Sequence, residues 1–177
     1  MNGLYKRGEW RTLVHVCRRW RTLVFRSPHH LNVQLFCSIR TPVLAKLDIW
    51  PALPIVVFHH DFREEKVDNL IAAIKHNDRV CKIDFDLFLD IQQMQRIVSV
   101  MQIPFPALAD LRLTLGKMDR AEPEPVPPPV LPDSLLGRSV PRLQHLKLSG
   151  FSFPALPNLL LSATGLVTLE LRSIPLS

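Results

Sequence analysis

The residues of this sequence that could do chemistry are its histidines, its cysteines and its paired carboxylates. His59-His60-Asp61 is the densest set of possible metal ligands, and His15, His29, His30, His76 and His145 are scattered. A zinc site needs donors that converge on one point. Neighbouring residues of a strand point to opposite faces, and the helical signature H-E-x-x-H is absent, so the pair reads as a solvated loop. Cys81 with His76 or His145 would make a thiol–imidazole nucleophile pair. Cys81, however, lies in an apolar, strand-like run, and burial keeps a thiol protonated and inert. Glu64/Glu65 and Glu122/Glu124 fall in segments expected to face solvent, with nothing pointing to a cleft around them. No G-x-S-x-G elbow, G-x-G-x-x-G turn or G-x-x-x-x-G-K-S/T loop occurs, and only 6 of 177 residues are glycine, too few for a Gly-rich phosphate cradle. The expectation is a chain that is not an enzyme and carries no metal or cofactor.

Charge and thiol usage narrow the partners. The net charge of +6 sits wholly in residues 1–30, where Lys6, Arg7, Arg11, Arg18, Arg19, Arg21 and Arg26 face Glu9 alone. The rest of the chain is neutral and offers no basic face, so no nucleic acid is expected despite a pI near 9.7. No apolar run approaches the ~20 residues that span a bilayer, so no membrane partner is expected. Three widely spaced cysteines, Cys17, Cys37 and Cys81, without C-x-x-C, read as buried, reduced thiols in a cytoplasmic or nuclear protein. Met1-Asn2-Gly3-Leu4-Tyr5-Lys6-Arg7 has no apolar segment behind it of the kind that marks a signal peptide.

The elements that would position these residues follow from hydrophobic spacing. Trp10, Leu13, Val14, Cys17, Trp20, Leu23 and Val24 make one helical stripe, which predicts an amphipathic helix over about 10–26. Ser27-Pro28 stops it, because proline drives the preceding residue out of the helical region. The stripe either caps the first strand or meets a partner helix. Leu31-x-Val33-x-Leu35 alternates as a strand does, and Leu53–Phe58 is a β-branched run. Four later segments share one template, apolar at i, i+3 and i+5: Val80/Ile83/Phe85, Leu108/Leu111/Leu113, Leu143/Leu146/Leu148 and Leu166/Leu169/Leu171. Their centres lie 28, 35 and 23 residues apart, around the roughly 20–29-residue period of leucine-rich repeats. The lead-ins Phe105-Pro-Ala-Leu108, Val140-Pro-Arg-Leu143 and Phe153-Pro-Ala-Leu156 repeat as well.

The long interval holds a Pro-rich insertion at about 116–133, whose Glu122–Pro129 cannot enter a helix or a central strand and reads as exposed polyproline II. Helices are expected from Asp61 to about His76 with Glu64 completing a capping box, from Asp90 with Gln93 at its third position, and from Pro157 to just before Gly165. A brief turn is expected at Asp133–Leu136. Strands alternating with helices, none able to bury its own apolar face, must stack. The fold expected is an α/β, leucine-rich-repeat-like solenoid with a parallel sheet over 31–177, preceded by the amphipathic helix in 1–30; a compact α/β sandwich is the alternative. The template leaves Lys82, Asp84, Asp86, Asp110, Arg112, Thr114, His145, Lys147, Ser149, Thr168, Glu170 and Arg172 on the concave face. That face is either self-neutralised solubility or a partner-binding surface, led by Lys82, Asp84, Asp110, Arg112, His145, Lys147, Thr168 and Glu170. No aromatic anchor is expected there.

Leu13–Leu31 resembles the second half of an F-box, which commonly reads V-C-K/R-x-W-x-x-L followed by S-P-x-L. The matching places are Val16, Cys17, Arg18, Trp20, Leu23, Ser27, Pro28 and Leu31. With Asp48–Pro54, Asp68–Ile74 and His76–Cys81 behind it, the chain resembles the F-box/leucine-rich-repeat proteins expanded in mushroom-forming fungi. That resemblance implies a receptor of a cullin–RING (Skp–cullin–F-box) ubiquitin ligase. Val16, Cys17, Trp20 and Leu23 would bind the Skp-type adaptor, and the repeats would present a protein substrate. The L-P-x-E-I/L-L helix that opens the box has no counterpart in Met1–Glu9. The chain therefore also reads as a stand-alone repeat domain with no ubiquitin link, or as a truncated, non-functional fragment.

Overall fold

The computed structural model of the protein describes residues 16–26, 35–38, 43, 47, 53–59, 67–87, 91–115 and 128–174. Six strands form one sheet: β1 (Leu35–Cys37), β2 (Ile55–His59), β3 (Val80–Leu87), β4 (Asp110–Leu115), β5 (His145–Ser149) and β6 (Thr168–Arg172). They lie in the order in which the chain makes them, and every pair is parallel. A parallel neighbour demands a crossover each time. When strand order never reverses, crossovers of one hand all land on one face of the sheet. That face is the core. Leu35, Cys37, Ile55, Val57, Ile83, Phe85, Leu111, Leu113, Leu146 and Leu148 point into it and are buried.

Four helices among the described residues accompany the strands: α1 (Arg18–Arg26), α2 (Asp68–Ile74), α3 (Ile91–Val100) and α4 (Leu156–Ser162). In α2, Leu70, Ala73 and Ile74 are buried. In and just after α3, Met94, Ile97 and Met101 are buried. Pro157 stands in the first turn of α4, where its missing N–H costs nothing. The helix expected from Asp61 starts instead at Asp68, with Val67 at the cap position and no side-chain cap; Val67 is itself buried, so packing fixes the entry. Asp61 and Glu64 lie outside the described residues. Val43 and Leu47 fall between β1 and β2 in the chain, helical and one turn apart, and both are buried; their i, i+4 spacing was the signal for an element the sequence reading passed over. Strand β1 is Leu35–Cys37, with Leu31 and Val33 outside the described residues.

The lead-in motif has a structural meaning. Leu108 N bonds to Phe105 O, Leu143 N to Val140 O and Leu156 N to Phe153 O, at 3.1–3.2 Å. Each is a turn with proline at its second position, where a fixed φ is an advantage. The first two deliver a buried leucine just ahead of β4 and β5. The third opens α4, the helix expected from about Pro157. The turn ahead of β6 is Ala163-Thr-Gly-Leu166, closed by Leu166 N to Ala163 O, and it carries no proline. After the turns ahead of β5 and β6 a carbonyl gathers two successive amides at the start of the next strand. Ala109 O accepts from Gln144 N and His145 N, and Gln144 O from Val167 N and Thr168 N. That irregularity shifts the phase so that i, i+3 and i+5 all face the core.

The Pro-rich insertion leaves the β4–β5 register intact, Asp110 to His145 and Leu111 to Leu146. Of the segment expected to be exposed, Pro128 is exposed and Pro129 half-buried, and the chain is anchored just beyond it. Leu131 is buried and Leu131 N bonds to Ser152 O at 2.8 Å. The turn at Asp133–Leu136 runs on into a tight helix over Leu135–Arg138. There Leu136, Gly137 and Arg138 all have φ of 56–61°. Glu122 and Glu124 lie outside the described residues. No helix among the described residues is long and apolar enough to cross a membrane.

Candidate functional site: the polar wall of the sheet

On the face away from the core, parallel register aligns side chains into rows. The first row is Lys82, Asp110, His145 and Thr168. The second is Asp84, Arg112, Lys147 and Glu170, and the third is Asp86, Thr114, Ser149 and Arg172. All eight expected site residues of the repeats therefore come together on one wall, with Asp84 beside Arg112 and Lys147 beside Glu170 as expected.

The pairing within the wall is more specific than the register alone suggests. Asp110 is its hub: Lys82 Nζ lies 2.9 Å from one carboxylate oxygen and Arg112 Nε donates to the other at 2.9 Å. Arg112 thus bonds along its own strand, at i−2, as well as standing beside Asp84. The Asp110 hydrogen bond, with the nearby carboxylates adding to it, holds the Arg112 guanidinium even more firmly charged than usual. Lys82 also reaches Asp84 at 3.5 Å. A second cluster joins Lys147 to Glu170 at 3.7 Å and Arg172 to Glu170 at 2.5 Å. Four cations and four carboxylates share the wall across β3–β6, so its charge cancels.

The wall also contains a feature that the sequence reading missed. Phe36 pairs in register with Val56, Val56 with Lys82, and Phe58 with Asp84, so Phe36, Val56 and Phe58 stand on the same face. The two rings meet edge to face with centroids 6.4 Å apart. The shared template begins at Val80, and β1 and β2 do not follow it, so nothing in the spacing placed these aromatics beside the charges.

Cys81, the candidate nucleophile, is held as a thiol. Cys81 Sγ donates to Ile55 O at 3.4 Å, and burial pushes its thiol up to about 11. His59, expected in a solvated loop, is instead the last residue of β2 and only 2% exposed; His60 and Asp61 lie outside the described residues. Among the described residues no three His, Cys, Asp or Glu side chains converge to hold a metal. Cys37 is buried, but Cys17 is exposed, which corrects the expectation of three buried thiols.

Of the F-box-like residues, Trp20 and Leu23 lie in α1, and Val16 and Cys17 stand just ahead of it. The helix ends at Arg26, ahead of Ser27-Pro28 as expected, and its first turn is closed by Arg21 N to Cys17 O at 3.1 Å. The part of the expected helix before Val16 lies outside the described residues. Val16, Trp20 and Leu23 are 66%, 47% and 54% exposed. Trp10, Leu13 and Val14 of the same stripe lie outside the described residues. Compared with known protein families, curated proteins and solved structures, the chain matches none.

Proposed function

We propose that this chain is a protein-interaction module rather than an enzyme. In this reading its strand–helix units are leucine-rich-repeat-like rungs of a short solenoid, and the polar wall binds a protein partner. One observation carries the reading: six parallel strands in sequential order bury one face of the sheet and align polar side chains of β3–β6 in register on the other. Such surfaces are how stacked-repeat folds generally act. The Phe36–Phe58 pair supplies an aromatic anchor next to a charged field, the composition of a binding patch with a central hot spot.

The resemblance of Val16–Leu31 to the end of an F-box makes the partner system a Skp–cullin–F-box ubiquitin ligase in the cytoplasm or nucleus. The Skp-type adaptor would dock on α1 and a protein substrate on the wall. The solvent exposure of Val16, Trp20 and Leu23 supports it, since an adaptor needs those side chains free of the core. The stand-alone reading, with no ubiquitin link, gains from the position of Val16 and Cys17 ahead of the regular helix. The test is binding of the purified chain to a Skp-type adaptor, with Trp20→Ala alongside. Binding that Trp20→Ala abolishes supports the receptor. No binding by a folded wild-type chain removes the ubiquitin link and leaves the stand-alone module. Partner capture that is insensitive to Arg112→Glu and Lys147→Glu would remove the wall from either reading.

A further inference from the structure

We infer that the middle of the polar wall, between Arg112 and Lys147, takes a single acidic side chain of a protein partner. The inference rests on the reading of the wall as a binding surface and names what that surface recognises.

The cations of the wall are not equally matched. Lys82 has Asp110 at 2.9 Å and Asp84 at 3.5 Å, and Arg172 has Glu170 at 2.5 Å. The two cations between them are left short of acceptors. Arg112 bonds Asp110 through Nε and makes no other ion pair among the described residues, although a guanidinium carries five N–H donors. Lys147 Nζ stands 3.7 Å from Glu170 Oε1, beyond hydrogen-bond reach, and Arg172 already holds that oxygen. Arg112 and Lys147 are in register on neighbouring strands, which lie about 4.8 Å apart. Like charges abreast are unfavourable, and an anion seated between them relieves the repulsion. In the next row Thr114 and Ser149 are in register beside them, and their hydroxyls can donate as well. In these two rows β4 and β5 thus present two cations and two hydroxyls and no carboxylate. The Arg112 and Lys147 side chains are 44% and 32% exposed, so a partner can reach them.

The surroundings select the kind of anion. Along the second row the order is Asp84, Arg112, Lys147, Glu170, negative at both ends. One carboxylate fits between those ends. A nucleic acid or an anionic membrane presents phosphates in series, and Asp84 and Glu170 would repel the neighbours of any phosphate in the middle. Phe58 stands in the same row beyond Asp84 and is half-buried. It offers apolar contact to residues flanking the partner's acid, a mixture that a polypeptide supplies and a polyanion does not.

The experiment selects binders to the whole purified chain from a randomised peptide library and measures one selected peptide by fluorescence anisotropy. The selected peptides should share one Asp or Glu. Changing that acid to its amide should weaken binding about ten-fold or more, as expected for a bond to a charged group. R112E and K147E should each weaken it as much, with R112Q and K147Q as milder variants and circular dichroism as the check on folding. The double variant R112E/K147E should select peptides with Lys or Arg in place of the acid, a gain that an unfolded chain does not give. Selected peptides with no acid in common, or binding that ignores both cations, overturn the inference. In that case loss of binding in Phe58→Ala keeps the wall as a binding surface, whereas binding that ignores Phe58→Ala too removes the wall reading with it. A library that yields no binder also overturns the inference. So does displacement of the peptide by polyuridylic acid with the steep salt dependence of many phosphate contacts, which would make the occupant a nucleic acid.

Discussion

Replacing Leu146 by alanine removes three carbons from the middle of the core row. Leu146 is 1% exposed and stands between Leu111, which is fully buried, and Leu169, which is 44% exposed. Losing the burial of those carbons costs about 2.4 kcal/mol at ~0.8 kcal/mol per methylene. The cavity left behind raises the total to roughly 3 kcal/mol, within the ~2–5 kcal/mol span of buried Leu→Ala changes. Two neighbours calibrate the number. Leu169→Ala removes the same atoms from a side chain already nearly half in water, so about 1 kcal/mol is expected. Lys147→Ala, one residue away on the polar wall, breaks only a partly exposed pair with Glu170 and should cost under about 0.5 kcal/mol. Urea denaturation at fixed slope, read as the shift in midpoint, measures all three. Equal losses at Leu146 and Lys147 would refute the inward and outward assignment of β5. A loss at Leu169 as large as at Leu146 would refute the partial exposure of Leu169.

Gly137→Ala should destabilise by more than about 2 kcal/mol: a side chain at φ of 61° is strained, and the new carbon would meet Pro104 N at 2.6 Å. Gly165→Ala, whose new carbon has no neighbour closer than 4.0 Å, should change stability by under about 1 kcal/mol in the same thermal melts. Asp110→Asn should cost about 1 kcal/mol, and most of that loss should vanish in salt of about 1 M, because both Lys82 and Arg112 lean on one carboxylate; a salt-independent loss would mean that packing, not charge, holds the wall. The Cys81 thiol should resist alkylation near pH ~8 while Cys17 reacts, with the difference disappearing in denaturant. Because its folded value, about 11, stands above the ordinary 9.0, the unfolded chain ionises first. The stability contributed by Cys81 is therefore complete below pH 9.0 and is lost as pH rises toward about 11, and Cys81→Ala should remove that part of the pH dependence.

The i, i+3, i+5 template made β3–β6, their parallel register and the rows of the polar wall legible in the sequence, because a bulge-like phase shift recurs before β5 and β6 and at the start of β3, and the spacing records it. The prolines of Phe105-Pro and Val140-Pro marked two of the turns. What the sequence hid was decided by tertiary packing. Ala163-Thr-Gly-Leu166 makes the same turn as the lead-ins without the proline that marks them. His59 reads as polar and exposed, but its place at the end of β2 buries it. The Phe36–Phe58 contact depends on the alignment of β1 with β2 and of β2 with β3, which no repeat announces. The ion pairs were half legible. Register named the neighbours across strands, while the hub role of Asp110 needed side-chain geometry along β4.

The wall exists only if β4 and β5 run parallel in the stated register, and paired cysteines test that directly. Asp110→Cys with His145→Cys, and separately Thr114→Cys with Ser149→Cys, should each form a disulfide on mild oxidation, identified by peptide mass spectrometry, because neighbouring strands bring such pairs within bonding reach. Asp110→Cys with Ser149→Cys should stay unlinked. Efficient linking of 110 to 149, and not of 110 to 145, would mean antiparallel strands, and the parallel sheet would be contradicted together with the solenoid and binding surface proposed on it.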